Sequence, residues 1–334
     1  MKQTILLSFL FVILVSGAAS AQELKIATLA PDGSAWMNEF RQAAEGINAD
    51  TDQRVRVRYY PGGVMGDAAA VLRRMRLGQL QGGAFTLGDL EPVASSVNLY
   101  SLPFLFREEA ELLALREDFD PLILADLAEG GIVAPALSLG GFAYFFSREP
   151  FPESERLSSS WRVWVPSGDV LSRHTLERAG ASPVPLPLAE VYTALQTGAI
   201  NSFASTPSAT IILQWHSRTR HKLDLPVLMT AGTVGLDQRA FQRLSVADRE
   251  QVMLHFTQAL NRLEGNARQE NQAARAALQN QGVRIAEPSP DQVEAWQKLA
   301  GESRRHLLER GQIEIPHLDR LERRLEQLRA AAQD

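Results

Sequence analysis

Val55-Arg56-Val57-Arg58-Tyr59-Tyr60 alternates side chains with a period of two and then breaks at Pro61-Gly62-Gly63. That period is what a half-buried strand imposes, because successive side chains point to opposite faces. Behind the break, Ala69, Leu72, Met75 and Arg76 recur near helical spacing until Gly78 stops them, and Gln81 to Thr86 returns as an extended run. Ahead of it, Leu24 to Leu29 alternates as a strand. Ser34 then stands where a cap begins a helix through Trp36, Phe40, Ala44 and Ile47. A β-α-β-α-β order builds a parallel sheet covered by helices.

The second half repeats this order. Trp161 to Pro166 reads as a strand, Asp169 to Ala179 as a helix, and Pro183 to Leu186 as a strand. Glu190 to Gly198 is a short helix closed by glycine, and Ala199 to Phe203 a further strand. Between the halves, Gly140 to Phe146 is an aromatic extended run suited to a crossover. Beyond Ser245 the chain reads as mostly helical and charged, with a break at Pro288-Ser289-Pro290 and a polar last helix from Ile315 onward.

Met1-Lys2-Gln3-Thr4 and the apolar run Ile5 to Val15 end in small residues, and Ala19-Ser20-Ala21 fits an A-x-A cleavage site. The run is too short for a transmembrane span, which needs roughly 20 apolar residues. Residues 1–21 are therefore expected to be a cleaved signal peptide, and the mature protein to be soluble in the periplasm. The chain has 0 Cys, so no disulfide frame holds it and its stability must come from the core. Its 334 residues suit two lobes, and a net charge of −5 argues against nucleic acid or an anionic membrane surface as partner.

Signatures of catalysis are missing: no HExxH, no G-x-S-x-G, no P-loop and no thiol. His216 and His221 lack zinc-like spacing, and no metal or cofactor is expected. Glu190 beside Tyr192 reads as a helix-starting carboxylate rather than an acid–base pair. Arg218, Arg220, His221 and Lys222 read as a solvated basic face.

Pro183-Val-Pro-Leu-Pro-Leu-Ala-Glu-Val-Tyr-Thr-Ala-Leu-Gln-Thr-Gly-Ala-Ile200 closely resembles the solute-binding proteins of TRAP transporters of the DctP type. Leu29 to Ser34, Tyr60 to Gly66, Arg76 to Leu80 and Leu102 to Phe106 match in the same order. The resemblance implies an α/β, two-lobed periplasmic-binding-protein fold of type II, its lobes joined by crossing strands and a long helix. The lobes are expected over 22–142 with 229–268, and over 143–228 with 269–334, the latter including the C-terminal helices. It further implies a small-molecule ligand in the cleft, delivered to a small and a large permease subunit. A monomer is the simplest expectation.

The resemblance also locates departures. That family presents an Arg on the strand just before Val-Pro, where a guanidinium grips a ligand carboxylate; here Trp164 stands there. A second Arg is often found near the crossover, where this chain has Phe142, Ala143 and Tyr144. The family's pocket Phe falls on Leu188, and its Asn on Ser205 or Thr206. A buried carboxylate without a cation or several donors carries a desolvation cost of several kcal/mol. Trp164 offers instead an apolar face and one N–H, and Phe85, Phe142, Tyr144, Phe203 and Trp215 are candidates for further aromatic wall. The expected ligand is therefore neutral or largely apolar. The alternatives are an organic acid held through Arg162, or a lipid-shuttling or sensory role with a different membrane partner. A hydrolase would need a nucleophile–base pair that nothing in the sequence nominates.

Overall fold

The computed structural model describes residues 21–332. The expected signal peptide, apart from Ala21, lies outside the described residues. The chain runs β1 (Gln22–Ala27), α1 (Ala35–Asp50), β2 (Val55–Tyr60), α2 (Ala68–Arg76), β3 (Gly82–Thr86), α3 (Glu109–Leu113), α4 (Arg116–Glu129) and β4 (Ile132–Val133). There follow β5 (Ser138–Ser147), β6 (Arg162–Pro166), α5 (Val170–Arg178), β7 (Ser182–Leu186), α6 (Val191–Thr197), β8 (Ser202–Ser205) and α7 (Pro207–Ile212). Last come β9 (His221–Asp237), α8 (Gln238–Gln242), α9 (Val246–Asn280), β10 (Arg284–Ala286), α10 (Pro290–Glu309) and α11 (Leu318–Ala331).

In the first lobe β1 pairs in parallel with both β2 and β3. Ser34 starts α1 by accepting the Met37 amide, which satisfies one of the donors a helix start leaves open. The buried stripe of α1 is Met37, Phe40, Ala43 and Ile47. Trp36, expected in that stripe, is 43% exposed. Phe40 and Ile47 fall in the stripe as expected, while Met37 and Ala43 take the places of Trp36 and Ala44.

The second lobe repeats the arrangement with β6 parallel to β7 and β8. Strand β8 begins at Ser202, later than the expected Ala199, because the chain first has to close α6. Gly198 takes a left-handed φ of 77°, and the Ile200 amide returns to the Ala194 carbonyl.

Strands β5 and β9 carry the sheet from one lobe into the other, giving the order β2-β1-β3-β9-β5-β8-β6-β7. β9 pairs antiparallel with β3 at its end and with β5 along most of its length. The pairing shifts register at Leu139/Gly141 and again around Tyr144, which bends the ribbon as bulges do. Helix α9, 35 residues long, crosses both lobes. Its Val252, Phe256 and Ala259 pack with α1, and its Leu278 packs with the second lobe's aromatic core. Midway, Asn271 Nδ2 donates to the Gly140 carbonyl, while its Oδ1 accepts the Ser208 amide and hydroxyl. Gly141 next to it has φ +99°, and a Cβ there would lie 2.6 Å from Asn271 Nδ2, so glycine is required.

α10 buries Trp296 against the β6 valines. α11 reaches back to the first lobe: Leu318, Leu321 and Leu325 share a core with Phe119, Ile123 and Leu127 of α4. Arg324 pairs with Asp118, and Arg329 with Glu111.

Candidate functional site

The parallel strands of each lobe are linked through the crossing ribbon of β5 and β9, and in open α/β sheets ligands bind outside the carboxyl ends of such strands. Trp164 is on β6, and alternation sends its side chain away from Val163 and Val165. Those valines pack on Trp296, whereas Trp164 joins Phe146, Val191, Leu195, Phe203 and Trp215. It meets Trp215 edge-on at 5.3 Å, and Trp215 meets Phe203 likewise at 5.0 Å, the geometry that ring quadrupoles favour. Trp164 keeps 9% of its surface exposed. Its indole N–H donates to the Leu186 carbonyl at 2.9 Å, so the donor expected to face a ligand is already used.

The expected wall residues divide. Phe203 and Trp215 are fully enclosed and support Trp164 from behind. Tyr144 and Leu188 are half-buried against the same cluster. Phe85 and Phe142 belong instead to the first lobe's core. The Thr206 hydroxyl caps α7 by accepting the Ala209 amide, and Ser205 donates to the Thr206 carbonyl. Arg162, the alternative carboxylate clamp, sits at the start of β6, and its Nε donates to the Gly198 carbonyl behind α6. It lies at the end of the strand remote from the cleft.

Sequence reasoning missed three polar groups. Asp89 and Asp169 each stand three residues beyond a parallel strand, β3 in one lobe and β6 in the other. Among the described residues neither has an ion-pair partner. Thr86 donates through both its amide and its hydroxyl to Asp89 Oδ2, and Asp169 accepts the Ser172 amide at the start of α5. Burial pushes both carboxyls above the usual carboxylate range, against the pull of those hydrogen bonds, and Asp67 adds repulsion at Asp89. The repeated strand–turn–Asp pattern was the available signal.

The third is Lys222, which was expected on a solvated basic face and is 1% exposed. It was misplaced because β9 was not recognised: Leu223, Leu225, Val227 and Met229 alternate inward, and Lys222 lies just ahead of them. Its ammonium sits 3.6 Å above the Tyr144 ring and pairs with Asp224, which also holds Arg275. Burial draws the Lys222 pKa down despite the Asp224 charge. Burial alone would raise Asp224, but Lys222 and Arg275 hold it below its ordinary value.

Among the described residues no group of His, Asp and Glu side chains is arranged to hold a metal ion, and no helix is long and apolar enough to cross a membrane. Two α/β lobes joined by two crossing strands and one long helix are the architecture of a bilobal binding protein. Residues 26–310 match the family model of bacterial extracellular solute-binding proteins, family 7 (DctP). The chain belongs to that family, whose members are solute-binding receptors rather than enzymes. A solute-binding protein of Chromohalobacter salexigens is 24% identical over 264 residues, 77% of this chain and 75% of the relative. A TRAP periplasmic solute-binding protein of Roseobacter denitrificans, solved with bound β-D-glucuronate, superposes with a TM-score of 0.82 at 21% identity, covering 91% of this chain and 99% of that one. DctP7 of Bordetella pertussis, a receptor binding pyroglutamic acid, gives 0.81 at 19% identity, covering 92% and 100%.

Proposed function

We propose that this chain is the periplasmic receptor of a TRAP-type transporter, exported through a cleaved signal peptide, and that it delivers a neutral or largely apolar ligand to a small and a large permease subunit. In this reading the lobes are 22–142 with 229–268 and 143–228 with 269–334, α11 reaching back across. Trp164, Tyr144, Leu188 and Thr206 face the ligand from the second lobe, Phe85 and Phe142 from the first, while Phe203 and Trp215 brace the indole. The protein acts as a monomer.

One observation carries the choice of ligand. The position of a clamping guanidinium holds an indole whose only donor is taken by Leu186, and the charged groups at the two strand ends are carboxylates, Asp89 and Asp169. A ligand carboxylate entering there meets like charge, unfavourable in a low-dielectric cleft, and the cations beside Tyr144, Lys222 and Arg275, are already paired with Asp224. The glucuronate and pyroglutamic acid bound by structural neighbours support the other reading, an organic acid. That reading needs a cation, and Arg162 is engaged at Gly198.

A ligand that binds only the folded protein raises its stability, by about 2.7 kcal/mol at 100 times its Kd. A thermal-shift panel of succinate, glucuronate, pyroglutamate, aromatic acids and neutral lipids therefore separates the two readings. Stabilisation by neutral compounds is expected; stabilisation by the acids alone overturns the proposal.

A further inference from the structure

Helices α5 and α10 of the second lobe meet through two imidazoles. His174 and His306 stack with ring centroids 5.3 Å apart and planes 6° from parallel. His174 Nε2 is enclosed and has no hydrogen-bond partner among the described residues. A neutral ring leaves only a lone pair unsatisfied there, whereas a protonated ring buries a charged N–H with no acceptor, which costs more. Two imidazolium rings at this separation also repel each other. Burial first, and then the charges of His306 and Arg178, hold the His174 pKa below the ordinary histidine value; Arg173 adds to this and Glu177 opposes it. Arg178 is engaged with Glu302 of α10, and Arg310 at the end of α10 lines the same groove.

The stack lies where the second lobe meets the first. Leu171, one turn before His174, and Leu307, next to His306, share a core with Phe119 of α4 and Leu321 of α11. Beyond Gly311 the chain leaves α10 for α11, which Arg324–Asp118 and Arg329–Glu111 pin to the first lobe. A loss of contact between α5 and α10 therefore reaches the helix that ties the lobes together. We propose that the His174–His306 stack is an acid-sensitive clasp at this junction, holding α5 to α10 while the rings are neutral and parting as they take up protons. The stabilisation from the neutral stack is fully present above the ordinary histidine pKa. Below it the unfolded chain takes up protons that the native stack resists, so the contact weakens as pH falls through the folded value. The clasp does not depend on which ligand is bound.

The test is hydrogen exchange of the purified protein, read as protection factors at about pH 7.5 and about pH 5.5, which bracket the ordinary histidine pKa. At the lower pH the wild type is expected to lose protection in α5 and in the last two turns of α10, with β1 unchanged. His174→Phe keeps a flat ring against His306 and removes the enclosed nitrogen, so its α5 is expected to be equally protected at both pH values. His306→Phe keeps the stack and removes one of its charges. Proton NMR should then show His174 titrating closer to the ordinary histidine value than in the wild type, a shift that a merely packed ring would not produce. The clasp is overturned if wild-type α5 is equally protected at both pH values, or if His174→Phe loses protection as the wild type does. It is also overturned if His306→Phe leaves the His174 titration where it was.

Discussion

The two faces of the cleft are built from the same strand–helix unit but finish it differently. In the first lobe the ends of β1 and β3 surround a cavity with one rigid carboxylate, Asp89, among apolar side chains. In the second, the end of β6 is filled by Trp164, locked edge-on against Trp215 and tied to Leu186. One face offers a polar handle and a void; the other offers packed aromatic surface with its polar groups already used. The aromatic layer is also structural, so a change there is expected to alter stability as well as binding.

That contrast can be broken in several ways. The largest expected effect is from Trp215→Ala, which empties the space between Trp164 and Phe203. Truncating a buried aromatic costs about 3–5 kcal/mol, and urea unfolding followed by tryptophan fluorescence measures it. Asp224→Ala should cost about 3 kcal/mol by the same assay, because it leaves the enclosed Lys222 without its counter-ion under Tyr144. An unchanged midpoint for either variant removes the structural role claimed for that side.

Asn271→Ala acts at the hinge between the faces. It strands the Gly140 carbonyl and the Ser208 amide, and about 1–3 kcal/mol is expected, with faster hydrogen exchange in β5 than in β1. Asp67→Ala removes a helix cap from the first lobe, a cost of about 1 kcal/mol, less what relief of its repulsion on Asp89 returns.

The smallest effect is in the pH profile and has opposite signs at different carboxylates. Asp89 and Asp169 have raised folded pKa values, so between the ordinary carboxylate pKa and the folded value the native state binds more protons than the unfolded chain. Stability then rises as pH falls through that window. Asp248 is held low by Arg54, so its contribution, present above the unfolded carboxylate pKa, is lost as pH falls through its folded pKa. Thermal melts from about pH 7 down to 4 should therefore show a shallower gain on acidification in Asp169→Asn than in the wild type. An identical profile contradicts the assignment.

Much of the fold was legible because strand alternation and helix capping are local. Val55 to Tyr60 and Ser34 mark their elements by residue type alone, and the motif from Pro183 to Ile200 fixes the second lobe's order. The crossing strand β9 was not legible. Pro226 lies inside it, a residue that argues against an interior strand, and a lysine precedes it that belongs inside only because Asp224 and Tyr144, brought together by folding, receive it. The site was legible in part. Trp164 could be read as a strand residue just before Val-Pro, but not that Leu186 takes its N–H, since the carbonyl comes from a neighbouring strand. Which aromatic side chains share a core with Trp164 was hidden for the same reason: alternation assigns a face, and only the sheet order assigns a partner.

The most direct test of the central claim is to purify the protein from the periplasm without refolding, release whatever it retains, and identify it by mass spectrometry. The account predicts an uncharged molecule with a substantial apolar body at near-stoichiometric occupancy. A dicarboxylate or uronate at that occupancy contradicts it.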